Sequence, residues 1–314
     1  MATPRLTAVS RLQGNNAALK AGDISVHGYE LDWQDEPVLI NAFRRMVREL
    51  AFDVSEMAIT TYLCARAHGV RFAAIPIFLA RGLHHGAITV NRRFAMESPK
   101  GLEGQRVAVG RGYTVTTGVW ARAILQDEFD VDLDRVIWLR SGDEHVAEYV
   151  PPANVESATE VEIQDLLLSG SVAAAINFPV KHPDIQPMIA DPLESGIRSL
   201  VERGFYPINH LIVVRDDVLA AHPGLAIALF EAFAESKRVY VKRLREGSID
   251  APAPEDLLFE RIMAATGTDP LPYGIEPNRV MLEALIDHAV SQHIVPAGMT
   301  PESVFERSTQ HLVG

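Results

Sequence analysis

The sequence holds a single cysteine, Cys64, in 314 residues. No internal disulfide can form, and no Cys-rich zinc site can be assembled. Within the apolar run Tyr62-Leu63-Cys64-Ala65 the thiol reads as a buried packing group rather than a nucleophile. Dense basic runs are also missing. With 29 Lys and Arg against 41 Asp and Glu, the formal net charge is −12. That balance argues against a general nucleic-acid binder, because neutralising phosphates needs clustered Lys and Arg. No apolar run approaches the length of a membrane span. The opening residues, Met1-Ala-Thr-Pro-Arg-Leu6, show no basic segment leading into an apolar one with a small-residue cleavage site, so a cytoplasmic location is expected. The sequence contains neither H-x-x-x-H nor H-E-x-x-H metal spacing and no G-x-S-x-G elbow. Internal repeats and low-complexity segments are lacking as well.

What is there is an ordinary globular composition, 47% hydrophobic and 22% charged, too apolar and too sparsely charged for a disordered chain. Strand-like and helix-like segments alternate, which predicts an α/β fold. Strands are expected over 5–9, 29–33, 52–54, 72–78 and 87–91. Helical spacing covers 38–50 and 56–68. A second set begins after the break Ser98-Pro99-Lys100-Gly101, with a strand over 106–109, a helix over 115–128 and a strand over 136–139. A helix over 161–169 and a strand over 172–176 follow. A third region adds a strand over 210–214 and helices over 223–245, 254–266 and 277–293. The pattern predicts two lobes, residues 1–100 with 208–314 and residues 101–207, with a ligand cleft between them.

Three places carry chemistry. Gly110-Arg111-Gly112-Tyr113-Thr114-Val115-Thr116-Thr117 joins a strand to a helix, and its backbone N–H groups and the hydroxyls of Thr114, Thr116 and Thr117 suit an anion such as a carboxylate. The spacing is that of neither a dinucleotide fingerprint nor a P-loop, and plain helix capping explains the stretch equally well. Asp53-Val54-Ser55-Glu56 is the matching junction of the first lobe. There Ser55 reads as an N-cap and Glu56 as a first-turn acid, or both face the cleft. His84-His85 and His210 are the candidate proton carriers. His85, His210 and Glu56 together offer metal-ligand chemistry, but no spacing motif supports it.

Several segments together resemble the 4,5-dihydroxyphthalate decarboxylase family, whose fold is like that of type II periplasmic binding proteins. They are Ala51-Phe-Asp-Val-Ser-Glu-Met57, Ile75-Pro-Ile-Phe78 with Arg81, and His85-Gly-Ala-Ile88. Leu102–Val109, Trp120–Glu128, Gly204–His210 and Pro272-Tyr-Gly-Ile-Glu-Pro-Asn-Arg279 extend the likeness, which runs from about residue 28 to 305. After the first strand the family's acidic, aromatic segment is replaced here by Ser10-Arg-Leu-Gln-Gly-Asn15, and the Arg before the family's His is His84. The stretch 141–157 is hard to match.

The resemblance implies a carboxy-lyase that removes carbon dioxide without oxidation from a hydroxylated aromatic acid, 4,5-dihydroxyphthalate giving protocatechuate. In that chemistry the carboxylate-bearing ring carbon is protonated and a para oxygen stabilises the intermediate. His85 or His210 is expected as the acid, with Glu56 and Ser55 on the ring hydroxyls. Arg81 is expected on one carboxylate, with Arg11 compensating for the altered first loop. The second carboxylate falls to Tyr113, Thr114, Thr116 and Thr117. No electron-sink cofactor is expected, and a divalent metal remains compatible. The expected partner is a small aromatic carboxylate, with no nucleic acid and no membrane. The acidic surface and long C-terminal helices are compatible with a homo-oligomer. The competing reading is a solute-binding protein without catalysis.

Overall fold

In the computed structural model, which describes residues 3–94, 96–158, 162–178 and 181–314, strands and helices alternate along the chain. The order begins β1 (Arg5–Val9), α1 (Ala17–Ala21), β2 (Glu30–Trp33), α2 (Leu39–Glu49), β3 (Val54–Ala58), α3 (Ile59–Ala67) and β4 (Phe72–Arg81). It continues with β5 (Ile88–Asn91), β6 (Arg106–Val109), α4 (Thr116–Phe129), β7 (Ile137–Arg140), β8 (Val155–Ser157) and α5 (Ile163–Ser169). Next come β9 (Ala174–Ile176), β10 (Ile185–Pro187), α6 (Pro192–Arg203), β11 (Ile208–Arg215) and α7 (Asp216–Ala221). The chain ends with α8 (Leu225–Glu246), α9 (Pro254–Thr266), α10 (Arg279–Ser291) and α11 (Pro301–Val304). Val161, expected to open the helix observed as α5, lies outside the described residues.

The chain divides into two compact units, each with its own sheet. Unit 1 comprises residues 1–81, 208–283 and 298–314, and unit 2 comprises 82–207 and 284–297. The unit 1 sheet runs β2-β1-β3-β11-β4, with β1 parallel to β2 and β3, and β11 antiparallel to β3 and β4. All five residues of β3 and nearly all of β4 are buried. Central strands covered on both faces read as continuous apolar runs, which is why Phe72–Phe78 stands out in the sequence. Each large aliphatic side chain buried there contributes about 1.5–3 kcal/mol.

The unit 2 sheet runs β10-β5-β9-β6-β7-β8. The placement of β5 moves the expected boundary. Residues 82–100 read as part of the first lobe, yet β5 pairs antiparallel with β9 and β10, so its backbone groups are satisfied inside unit 2. Residues 284–297 also join unit 2.

Ser55 is corrected in the same way. It does not cap a helix, because Val54–Ala58 continues as a strand whose Ser55 and Glu56 pair with Val213 and Ile212 of β11. The ladder satisfies their backbone groups before a helix can start, and the helix opens only at Ile59, behind Ala58. Glu56 is therefore a strand residue, not a first-turn acid.

The turn after β1 depends on close packing against α8. A Cβ on Gly14 would lie 2.1 Å from the Tyr240 ring, and that ring is tethered by its hydroxyl donating to Asp256 of α9. Gly14→Ala is expected to destabilise the protein by about 1–3 kcal/mol, the usual cost of overpacking. A lowered urea midpoint with unchanged slope would show it.

Candidate functional site

The site of unit 1 is organised by one buried carboxylate. Glu56 has no exposed surface. A charge in that position must be met by donors, and three converge on it. Nδ1 of His210 lies 2.6 Å from Oε1. The backbone N–H of Arg11 donates to Oε2 at 3.1 Å, and the Gln13 amide donates to the same oxygen at 3.3 Å. The carboxylate assigns the proton to Nδ1, which leaves Nε2 as the chemically available nitrogen. The His210 ring packs edge-on against Phe43, with centroids 5.1 Å apart, and keeps 20% of its side-chain surface exposed.

Local chemistry shapes the loop that delivers Arg11. Asn16 donates to Ser10 Oγ and to the Arg11 carbonyl, both at 2.9 Å, and accepts from the Gln13 N–H at 2.8 Å. Lys20 donates to the Ser10 carbonyl and lies over the Trp33 ring. Asn15 donates to the Leu79 carbonyl of β4 at 2.8 Å. The amides of Asn15 and Asn16 thus hold the loop. The Arg11 guanidinium donates to Gln13 at 3.0 Å and stands 3.6 Å from Glu255. Burial pushes the Glu255 carboxyl above its ordinary range, helped by Asp256 and Glu56 and opposed by Arg11 and His210. A cavity of about 500 Å³ borders Gln13, Gly14, Tyr240 and Glu255.

Arg81 is buried at the last position of β4, and Ile208 pairs with it while His210 pairs with Ala80. The sheet therefore brings Arg81 to the strand end that also carries His210. Ser55 is fully buried, and its hydroxyl donates to the Glu56 carbonyl at 2.7 Å, so it presents no group to a ring hydroxyl.

In unit 2 the other predicted residues are committed differently. His85 is fully buried, with Nε2 at 3.0 and 3.2 Å from the two Glu128 oxygens. Ser199 and Arg203 of α6 donate to the same carboxylate. Burial draws the Glu128 carboxyl upward, but His85, Ser199 and Arg203 outweigh it and hold it below its ordinary range. The other ring nitrogen of His85 is buried with no hydrogen-bond partner among the described residues. There a Cβ on Gly196 would approach to 3.2 Å. His85 thus braces α6 against α4 through the shared Glu128 carboxylate.

The loop expected to hold a substrate carboxylate already holds one. Glu144 accepts from the N–H of Tyr113 at 2.6 Å, the N–H of Thr114 at 3.1 Å and the Thr114 hydroxyl at 2.7 Å. Thr116 is the buried first residue of α4, behind Val115 at the cap, and Thr117 is half-buried. Sequence reasoning missed Gln13, Glu255, Glu128 and Glu144. The available signals were the replaced segment Ser10–Asn15, which holds Gln13, and the stretch 141–157, which holds Glu144. Among the described residues no group of three or more His, Cys, Asp or Glu could hold a metal ion, and no helix is long and apolar enough to cross a membrane.

The comparisons with known proteins bear out the resemblance. The chain is 28% identical over 297 residues to 4,5-dihydroxyphthalate decarboxylase of Comamonas testosteroni, covering 85% of this chain and 86% of that protein. It is 29% identical over 165 residues to the Pseudomonas putida protein of the same name, covering 48% and 64%. No protein-family model matches. The periplasmic aliphatic sulphonate binding protein SsuA of Escherichia coli superimposes with a TM-score of 0.55 at 10% identity, over 99% of this chain and all of that one. The fold is therefore the α/β periplasmic-binding-protein fold.

Two outcomes follow from this geometry. Glu56→Ala strands the His210, Gln13 and Arg11 donors and should cost about 1–3 kcal/mol, the cost of a buried donor left unpaired, measured by urea unfolding. For Glu128 the folded pKa is depressed, so its contribution is complete above its unfolded pKa of about 4.3 and is lost as pH falls through the folded value. The stability gap between wild type and Glu128→Gln should be full at neutral pH and close in that acid window.

Proposed function

We propose that the chain is a decarboxylase acting without oxidation on a hydroxylated aromatic carboxylic acid, with 4,5-dihydroxyphthalate as the first substrate to test. The observation that carries the reading is the His210–Glu56 pair beside Arg11, in a chain similar over most of its length to decarboxylases of that name.

The chemistry needs a proton delivered to the ring carbon that bears the carboxylate. It also needs a cation for that carboxylate and an acceptor for the para hydroxyl proton. His210 supplies the proton from Nε2 while Glu56 holds Nδ1–H and stabilises the imidazolium, the orienting role a carboxylate plays behind a catalytic histidine. The new C–H bond forms with an electron pair of the ring, and the para oxygen supplies density as its proton passes to solvent water, which returns one to the phenolate after carbon dioxide has left. The C–C bond then breaks, carbon dioxide leaves, and its electron pair restores aromaticity. The Arg11 guanidinium, partly exposed and 3.6 Å from Glu255, suits the substrate carboxylate, with Arg81 as a second cation of the same unit. We assign His85 to the bracing of α6.

Incubation with 4,5-dihydroxyphthalate, followed by chromatography, should yield protocatechuate. His210→Asn should lower kcat by about 10²–10⁴-fold, the usual contribution of a positioned acid, with little loss of stability. His85→Asn should show the reverse, a lowered melting temperature with kcat retained. Saturable binding without product would point to the solute-binding reading instead.

A further inference from the structure

Residues 110–117 have the features of an anion seat, backbone N–H groups ahead of a helix and a hydroxyl aimed with them. The seat is full, and the chain is built to keep it full. Gly112 has no room for a side chain, since a Cβ there would lie 2.4 Å from Glu144 Oε2. Gly142, two residues before Glu144, would bring a Cβ to 3.1 Å from the Arg111 backbone. Arg111 adopts φ +72°, the left-handed region, to let the two segments meet. The meeting is sewn together by further bonds. Ser141 N–H donates to the Val109 carbonyl at 3.0 Å, and Gly142 N–H donates to the Arg111 carbonyl at 3.1 Å. The Arg111 N–H donates to Ser141 Oγ at 2.8 Å, and Arg140 donates to the Gly142 carbonyl at 2.8 Å.

Behind the seat lies a cation. Arg122 of α4 has no exposed surface. Nη2 donates to the Tyr113 carbonyl at 2.7 Å, Nε donates to Gln292 at 2.8 Å, and the guanidinium stacks 3.8 Å from the Tyr113 ring centroid. Nη1 is buried with no hydrogen-bond partner among the described residues. Burial pushes the Arg122 pKa down, opposed by Tyr113, Tyr149 and then Glu144, the one carboxylate among them. A buried guanidinium bound only to neutral groups demands a nearby anion.

We propose that Glu144 is the resident anion of this seat and a specificity-determining residue: it satisfies the loop from within, and so bars substrate carboxylates from residues 110–117. Substrate anions are left to the cations of unit 1. Removing the Glu144 side chain should turn the loop into a site for small external carboxylates. The proposal does not depend on which reaction the chain performs.

The test is a thermal-unfolding series on the full chain in chloride, formate and acetate at equal ionic strength. Glu144→Ala should melt several degrees below wild type in chloride and recover with rising formate or acetate. The wild type should not respond beyond the effect of salt, and neither should Glu144→Gln, whose amide still fills the seat. If Glu144→Ala does not fold in chloride, refolding in acetate is the same test, and recovery supports the proposal. Three results overturn it. They are a Glu144→Ala variant as stable as wild type, one that no carboxylate rescues, and a wild type that formate or acetate stabilises as strongly as the variant. None of these readouts uses turnover, so failure here and failure of the decarboxylase reading are separable.

Discussion

The charge on Glu56 is the constraint around which unit 1 is arranged. A carboxylate with no exposed surface is costly unless every lone pair finds a donor. The donors come from distant parts of the chain, the loop after β1 and the start of β11. Meeting that demand fixes the path of residues 10–16, holds the Arg11 backbone on the carboxylate that also holds His210 and sets which nitrogen of His210 carries a proton. Stability and chemistry therefore rest on the same group. Weakening the carboxylate to relieve its burial would also disorient the histidine that needs it.

Unit 2 solves a related problem with the signs reversed. Its buried charge is the Arg122 guanidinium, which donates to the Tyr113 carbonyl, while the Tyr113 N–H donates to the Glu144 carboxylate. Two glycines and a left-handed arginine exist there because the segments must approach closely enough for Glu144 to reach two backbone N–H groups. His85 and Glu128 repeat the theme, a buried histidine tied to an acid that a hydroxyl and an arginine also hold. Buried polar groups of this kind are satisfied as networks or not at all.

These networks separate residues that look alike in sequence. His85, in the short turn before β5, and His210, near the start of β11, both lie within matching family segments. One has no exposed surface and meets an acid that braces a helix, while the other keeps a fifth of its side chain exposed. The same contrast divides Ser55 from Arg11. Proton carriers and ligand contacts need an accessible face as well as a partner, and accessibility comes from packing that no local pattern encodes.

The sequence by itself determined the α/β class, the positions of β1, β6 and α9 to the residue, and the family likeness. Those features depend on hydrophobic period and turn residues, which are local. It also marked Glu56, His210 and the amide-bearing turn at residues 10–15. Only the tertiary structure decided that Ser55 and Glu56 belong to a strand, because pairing with β11 overrides a good capping sequence. Only the tertiary structure moved residues 82–100 into unit 2, through the ladder of β5 with β9 and β10. And only there does Glu144, some 30 residues from the loop it fills, become the anion that the loop's donors require. Long-range pairing of charges and backbone groups is set by where the chain returns in space, and that return is a property of the whole fold.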